Sequence, residues 1–334
     1  MSTLRFMTFT DVHISSVNPQ SRRGDYLGDI LDKLKQIRDV GQKLGAQFYL
    51  CGGDLFNLKA PMKNPHSLNR TLIELFRSFK GDVYTTEGNH DLRFDSYETF
   101  NEQPLAVLYQ SGALLQLRES VITHEGVSVR IRSFPFEEEP DLESLPKAKD
   151  DVDLNVCVLH LYSSPQGGML YKHKLFSYPE ISSLGDDIFL LGHYHVDQGI
   201  ETLGINGKDQ TFINLGALSR GSLVEDNIQR TPRIGYVEIT KTGDEVKVST
   251  KAIRLKVKPA TEVFDLEEKD QEQKKLKEAE EFVEKLKDDS FEEDLEGEDR
   301  VVAALDKLKI DKKVLEKVSY FLTSAHEELE KISS

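Results

Sequence analysis

Short apolar runs alternate with longer amphipathic stretches through the first 259 residues. Runs rich in β-branched and aromatic side chains predict strands at 5–10, 47–50, 83–86, 155–159, 188–191 and 211–214. Leu27, Ile30, Leu31, Leu34, Ile37 and Leu44 recur near helical spacing and predict a helix over Tyr26–Leu44. Leu68, Leu72, Leu75, Phe76 and Phe79 predict another over residues 67–79. Segments 121–133 and 234–255 read as alternating or hairpin-like β structure. Strands interleaved with helices predict an α/β layered architecture.

The pattern changes near Pro259. Beyond it, apolar stripes recur at Leu276, Ala279, Val283 and Leu286, at Val301, Val302, Leu305 and Leu308, and from Val314 to Leu329. These predict helices with charged outer faces, so the chain divides into a 1–259 region and a 260–334 region. Charge follows the same division: the net is −15, of which −11 lies in residues 260–334 and −4 in residues 1–259. The longest apolar runs are too short to span a bilayer, and the N-terminus lacks the order of a signal peptide. Two cysteines, Cys51 and Cys157, make neither a disulfide framework nor a thiolate zinc site. A reduced, cytoplasmic protein with no membrane segment is the expectation.

Five polar motifs each follow a predicted strand: Asp11-Val12-His13, Gly52-Gly53-Asp54, Gly88-Asn89-His90-Asp91, His160 and Gly192-His193-Tyr194-His195. Loops at the carboxyl ends of strands line the ligand crevice of α/β sheets, so these segments are expected to converge. Their carboxylate and amide oxygens and imidazole nitrogens suit manganese, iron or zinc. Asp11, Asp54, Asn89 and five histidines suffice for two divalent ions sharing one carboxylate, with one histidine left for acid–base work. Two ions roughly 3.5–4 Å apart can activate water and clamp a phosphoryl group. Asp91 reads equally as a loop-orienting carboxylate and as a catalytic one.

In this order, the five motifs resemble the calcineurin-like metallophosphoesterase superfamily over roughly residues 4–235. The resemblance extends to SbcD-type DNA repair and recombination nucleases, bacterial or phage. It is carried there by Gly53-Asp54-Leu55-Phe56, Pro61, Glu87-Gly88-Asn89-His90-Asp91 and the segment 214–220. It implies a four-layer α/β/β/α sandwich with a small helical C-terminal region, and a dimetal-dependent DNA exo- or endonuclease. By motif, Asp11, His13 and His195 would hold one ion, Asn89, His160 and His193 the other, and Asp54 would bridge them. His90 would stay off the metals and serve the leaving oxygen as general acid. Asn57 is a departure, because relatives often carry a second active-site histidine there.

The resemblance further implies manganese first, with magnesium, iron or zinc as alternatives. It implies DNA as substrate, a homodimer, and an SMC-like coiled-coil ATPase docked on the 260–334 helices, in the cytoplasm of the cell or of a phage host. Arg22 and Arg23, and the patch Lys172-His173-Lys174, read either as solvated loops or as substrate phosphate contacts. Ser219 lacks a nucleophile elbow, and no P-loop is present. The acidity at first opposes a polyanionic substrate. Two divalent ions, however, would bring residues 1–259 close to neutrality. Two other expectations remain: a metallophosphodiesterase for small-molecule or nucleotide diesters, and a non-enzymatic subunit that scaffolds an ATPase. The complete ligand set counts against the last.

Overall fold

The sandwich is assembled from strands whose two faces are both apolar. The structure, a computed structural model, describes residues 1–266 apart from Asn206. Their order is β1 (Ser2–Phe9), α1 (Tyr26–Leu44), β2 (Phe48–Cys51), α2 (His66–Arg77), β3 (Asp82–Thr85), α3 (Pro104–Gln110), β4 (Leu115–Gln116), β5 (Glu119–His124), β6 (Val127–Phe134) and β7 (Leu154–Leu161). There follow β8 (Ser163–Ser164), β9 (Gly168–Leu170), β10 (His173–Ser177), α4 (Tyr178–Ser182), β11 (Ile188–His193), β12 (Gly199–Ile205) and β13 (Lys208–Asn214). The last elements are α5 (Glu225–Gln229), β14 (Arg233–Thr242), β15 (Glu245–Arg254) and α6 (Ala260–Val263).

One six-stranded sheet runs β15-β14-β1-β2-β3-β4, parallel from β1 through β4. The other runs β12-β13-β11-β7-β6-β5, with its four central strands parallel. Alternation explains the layering. Leu4 and Phe6 of β1 enter a core shared with Val129, Ile131, Val156, Val158, Ile188 and Leu190 of the second sheet. Met7 and Phe9 point the other way, against Ile30, Leu34 and Ile37 of α1 and Leu72 and Phe76 of α2. Burying each such side chain contributes about 1.5–3 kcal/mol. The outer face of the second sheet is covered by the five-residue α4 and by Leu142 of the β6–β7 connection. The four layers are therefore present, with the last one thin.

The periodicity located α1 at its observed bounds, with Asp25 capping its start and Gly45, at φ 72°, its end. The segments 121–133 and 234–255 are the antiparallel hairpins β5–β6 and β14–β15. The chain divides into two compact units, Met1–Asp265 and Leu266–Ser334. Residues 260–265 thus belong with the first unit although their composition groups them with the tail. Phe264 is buried, with the Arg22 and Arg220 guanidiniums over its ring at 5.3 and 5.4 Å. The three apolar stripes from Leu276 onward, and the ATPase-docking role expected of them, lie outside the described residues.

Candidate metal centre

Loops after β1, β2 and β3 meet the ends of β7 and β11 at one edge of the sandwich. The two sheets approach closely there: a Cβ on Gly192 would lie 2.4 Å from the Gly52 carbonyl oxygen. Backbone bonds tie the loops together, from Asp11 N–H to Gly53 O (3.1 Å), His13 N–H to Asp54 O (3.0 Å) and Ile14 N–H to Leu55 O (2.8 Å). The hydroxyl of Tyr26, the first residue of α1, donates to His13 O at 2.8 Å. The segment after β13 closes from behind, through Leu218 N–H to Thr10 O (3.0 Å) and Ser219 N–H to Asp11 O (3.2 Å). Within the 214–220 stretch, Asn214, Ser219 and Arg220 are buried. That stretch buttresses the motif loops.

Asp11, His13, Asp54 and His193 have φ of 50°, 49°, 50° and 80°. Side-chain-bearing residues seldom adopt this left-handed region, and such strain concentrates where function requires a fixed geometry.

The ligand atoms fall into two groups. Asp11, His13, Asp54 and His195 form one, and Asp54, His160 and His193 the other, each with its donor atoms within 4.8 Å of one another. Asp54 is common to both. Its Oδ1 accepts the His90 N–H at 2.8 Å, while Oδ2 lies 3.7 Å from His13 Nε2 and 3.5 Å from His160 Nε2. His13 Nε2 and His195 Nε2 are 3.0 Å apart. His160 Nδ1 donates to Gly52 O at 2.7 Å, which fixes its tautomer and leaves Nε2 as the ligand atom. Asp54 Oδ2, His160 Nε2 and Asn89 Oδ1 are buried without a hydrogen-bond partner among the described residues. Buried polar atoms are rarely left so, and oxygen and imidazole donors of this kind fit two divalent ions sharing Asp54.

The charges are arranged for that use. Burial would raise the Asp54 carboxyl, but the charge of His160 beside it holds it well below the usual carboxylate range. Burial likewise works against the His160 imidazolium, yet Asp54 raises it to about 9. Burial pushes His13 and His193 down to about 3, so both offer neutral imidazoles. Asp91 is raised, by burial and then by the Asp54 charge. Its carboxyl accepts the N–H groups of Leu55, Phe56 and Gly88 at 3.0–3.2 Å, clamping the second motif to the third. That geometry gives Asp91 a loop-orienting role.

His90 lies outside both ligand groups. Its Nδ1 donates to Asn57 O at 2.8 Å, and its ring sits 4.7 Å from that of His13. The backbone of Asn57 thus serves His90 at the position noted as a departure. A cleft of about 590 Å3 opens beside Asn89 and His193, and Lys172, His173 and Lys174 line it. Sequence reasoning missed the rest of its wall, which includes Lys59, Phe136, Glu137–Glu139 and Tyr162. Tyr162 packs 3.9 Å from the His193 ring, and Phe136 5.2 Å. Tyr162 lies two positions past His160 and so was open to strand alternation, whereas nothing local marks Phe136 or the glutamates. Arg22 and Arg23 are placed otherwise. Arg22 is buried, pairs with Asp29 at 2.5 Å and lines a different cavity, and Arg23 pairs with Asp265 at 2.6 Å.

A two-sheet α/β sandwich with two carboxylate–histidine groups sharing one aspartate at its strand ends defines a metal-dependent phosphoester hydrolase. The calcineurin-like phosphoesterase family profile matches residues 4–197, and the chain belongs to that family. No curated protein matches it. Among solved structures it is similar to a 5'-nucleotidase precursor from Thermus thermophilus, at 15% identity and a TM-score of 0.50 over 76% of this chain and 54% of that one. It is also similar to the Haemophilus influenzae NAD nucleotidase NadN, at 12% identity and a TM-score of 0.44 over 76% and 56%. An archaeal phosphodiesterase matches at 10% identity and a TM-score of 0.34, over 74% of this chain and all of that one. The matches span slightly over half the length of the two nucleotidases, and at 15% identity the likeness to the first bears on the fold alone.

Proposed function

We propose that the chain is a dimetal phosphodiesterase acting on nucleotide diesters, with DNA as its substrate. The hairpin β9–β10 carries the DNA reading. It brings Lys172, and Lys174 paired with Glu180 at 2.7 Å, to the cleft beside Asn89 and His193, and its tip residue Tyr171 is 94% exposed. Lysines meet phosphates and an exposed ring stacks on bases, a combination suited to a strand of nucleic acid. The SbcD-type motifs point the same way.

Bound divalent ions, manganese foremost, would supply water activation and charge neutralisation at the phosphoryl group. The chain's own part is positional. Asp11, His13 and His195, then Asn89, His160 and His193, with Asp54 between, would hold the ions. A carbonyl only accepts, so Asn57 O keeps the proton on His90 Nδ1 and leaves Nε2 to exchange a proton with the leaving oxygen.

A second reading, a small nucleotide ester, is favoured by the acidic rim of Glu137–Glu139, which opposes a long polyanion. The nucleotidases among the structural neighbours act, by name, on such compounds. The two separate in one assay of the manganese-loaded chain on duplex ends, single strands and a small nucleotide diester. DNA cleavage that is reduced by replacing Lys172 and Lys174 with serine supports the DNA reading. Turnover of the small diester with DNA left intact replaces it by the second.

A further inference from the structure

A second cavity, of about 410 Å3, lies between α1 and the chain that leads from β15 into α6, and shares no lining residue with the metal-flanking cleft. Three of its lining side chains are cations that the fold buries: Arg22, Lys33 and Arg220 are 7%, 4% and 4% exposed. Lys33 sits in the otherwise apolar stripe of α1. Arg22 is answered by Asp29, which Lys258 also engages at 2.8 Å. The other two have no such partner. Lys33 Nζ makes one hydrogen bond, to Leu218 O at 3.0 Å. Arg220 donates only to the carbonyls of Asn227, Lys258 and Ile228, at 2.7, 2.9 and 3.3 Å. Among the described residues no carboxylate pairs with either: of the three carboxylates that line the cavity, Asp29 is taken by Arg22 and Lys258, and Asp32 and Glu262 are exposed at its rim. Burying charge without a counter-charge is costly, and two of the ammonium's three donors remain to be used.

We propose that this cavity binds a phosphate-type oxyanion, seated against Lys33, Arg22 and Arg220, with the exposed Lys256 and Lys258 at its mouth. Guanidinium forks match tetrahedral oxyanions, and an ammonium adds a compact point charge. The volume suits a small phosphorylated ligand. Burial, then the charges of Arg22 and Arg220, push the Lys33 ammonium down to about 7, and a bound anion would restore its charge. The site also touches the metal centre's support. Lys33 holds Leu218 O, and the Leu218 and Ser219 amides hold Thr10 and Asp11. The phosphoryl group could be inorganic phosphate or that of a nucleoside monophosphate.

Calorimetric and thermal-melting titrations of the full chain in chelator, with a variant of the metal centre as control, separate this site from that centre. Inorganic phosphate is expected to bind saturably and to raise the melting temperature. Lys33→Met is expected to lose about tenfold or more in affinity, and Arg220→Gln likewise, while His193→Ala in the other cleft binds normally. Without phosphate, Lys33→Met should melt at or above wild type, because it removes a buried unpaired charge; the lost binding then does not reflect unfolding. Tighter binding of a nucleoside monophosphate assigns the ligand as a nucleotide, and equal binding as phosphate. Absence of saturable binding of both ligands overturns the proposal. Undiminished binding by both variants overturns it as well.

Discussion

His90 and Gly88 flank Asn89, yet their substitution should have opposite consequences for the metals. His90 contributes its backbone N–H to Asp54 and its ring to Asn57 O, and belongs to neither ligand group. His90→Ala should therefore retain two ions per chain while kcat falls by about 10²–10⁴-fold, the usual size of a general acid's contribution. Gly88 has no side chain to lose, but a Cβ there would lie 2.1 Å from Asp54 Oδ1 and 2.6 Å from His160 Cε1. Gly88→Ala should displace the shared carboxylate and lower metal content as well as rate. Elemental analysis beside the cleavage assay reads both. Loss of metal from His90→Ala would make His90 a ligand and remove it from the acid role.

At the scale of elements, the outer face of the second sheet depends on one buried ion pair. Arg132 of β6 donates through Nε to Asp186, just before β11, at 2.9 Å, and also reaches the carbonyls of Pro146 and Leu184. This pair joins the β6–β7 connection to the turn between α4 and β11, where helical cover is thin. Both partners are buried, so Asp186→Ala strands a guanidinium in the interior. The expected cost is about 3–5 kcal/mol. Urea unfolding should show a lower midpoint at an unchanged slope, and an unaltered midpoint would mean that the carbonyls alone satisfy Arg132.

For the whole catalytic unit, the metal groups bridge the two sheets. Asp11, His13 and Asp54 follow strands of the first sheet, whereas His160, His193 and His195 lie at strand ends of the second. Ions held between them would cross-link the sandwich at its open edge. Chelation should thus abolish hydrolysis and also lower the melting temperature, and manganese should restore both. At an ion concentration one hundred times Kd, linkage amounts to about 2.7 kcal/mol per site. A melting temperature indifferent to chelator would show that the hydrogen-bonded loops alone hold the sheets together. Among the described residues no helix is long and apolar enough to cross a membrane.

What was legible in the sequence was local. Period-two runs and the stripe of α1 report burial directly, so the main strands and first helices could be read from single segments. The five motifs were legible too, because each lies at the carboxyl end of its strand or within a few residues past it. Their division into two groups sharing Asp54 came from resemblance, and distances between residues as remote as Asp54 and His160 supply its geometry. Only the tertiary structure decided which basic residues face the site. Lys172, His173 and Lys174 reach the cleft because β10 folds back on β9, whereas Arg22 is drawn under Phe264 and paired with Asp29. It also decided the left-handed backbone at Asp11, His13 and Asp54: aspartate and histidine tolerate that region better than most residues, but the bonds between the loops hold it at these positions. Lys33 is the clearest case. Charge and spacing do not separate it from an exposed lysine on α1, and the packing of the 217–220 and 256–263 segments over it makes it a buried cation without a counter-charge. Strand and helix formation depends on neighbours a few residues away, but the site depends on contacts that only the closed sandwich creates.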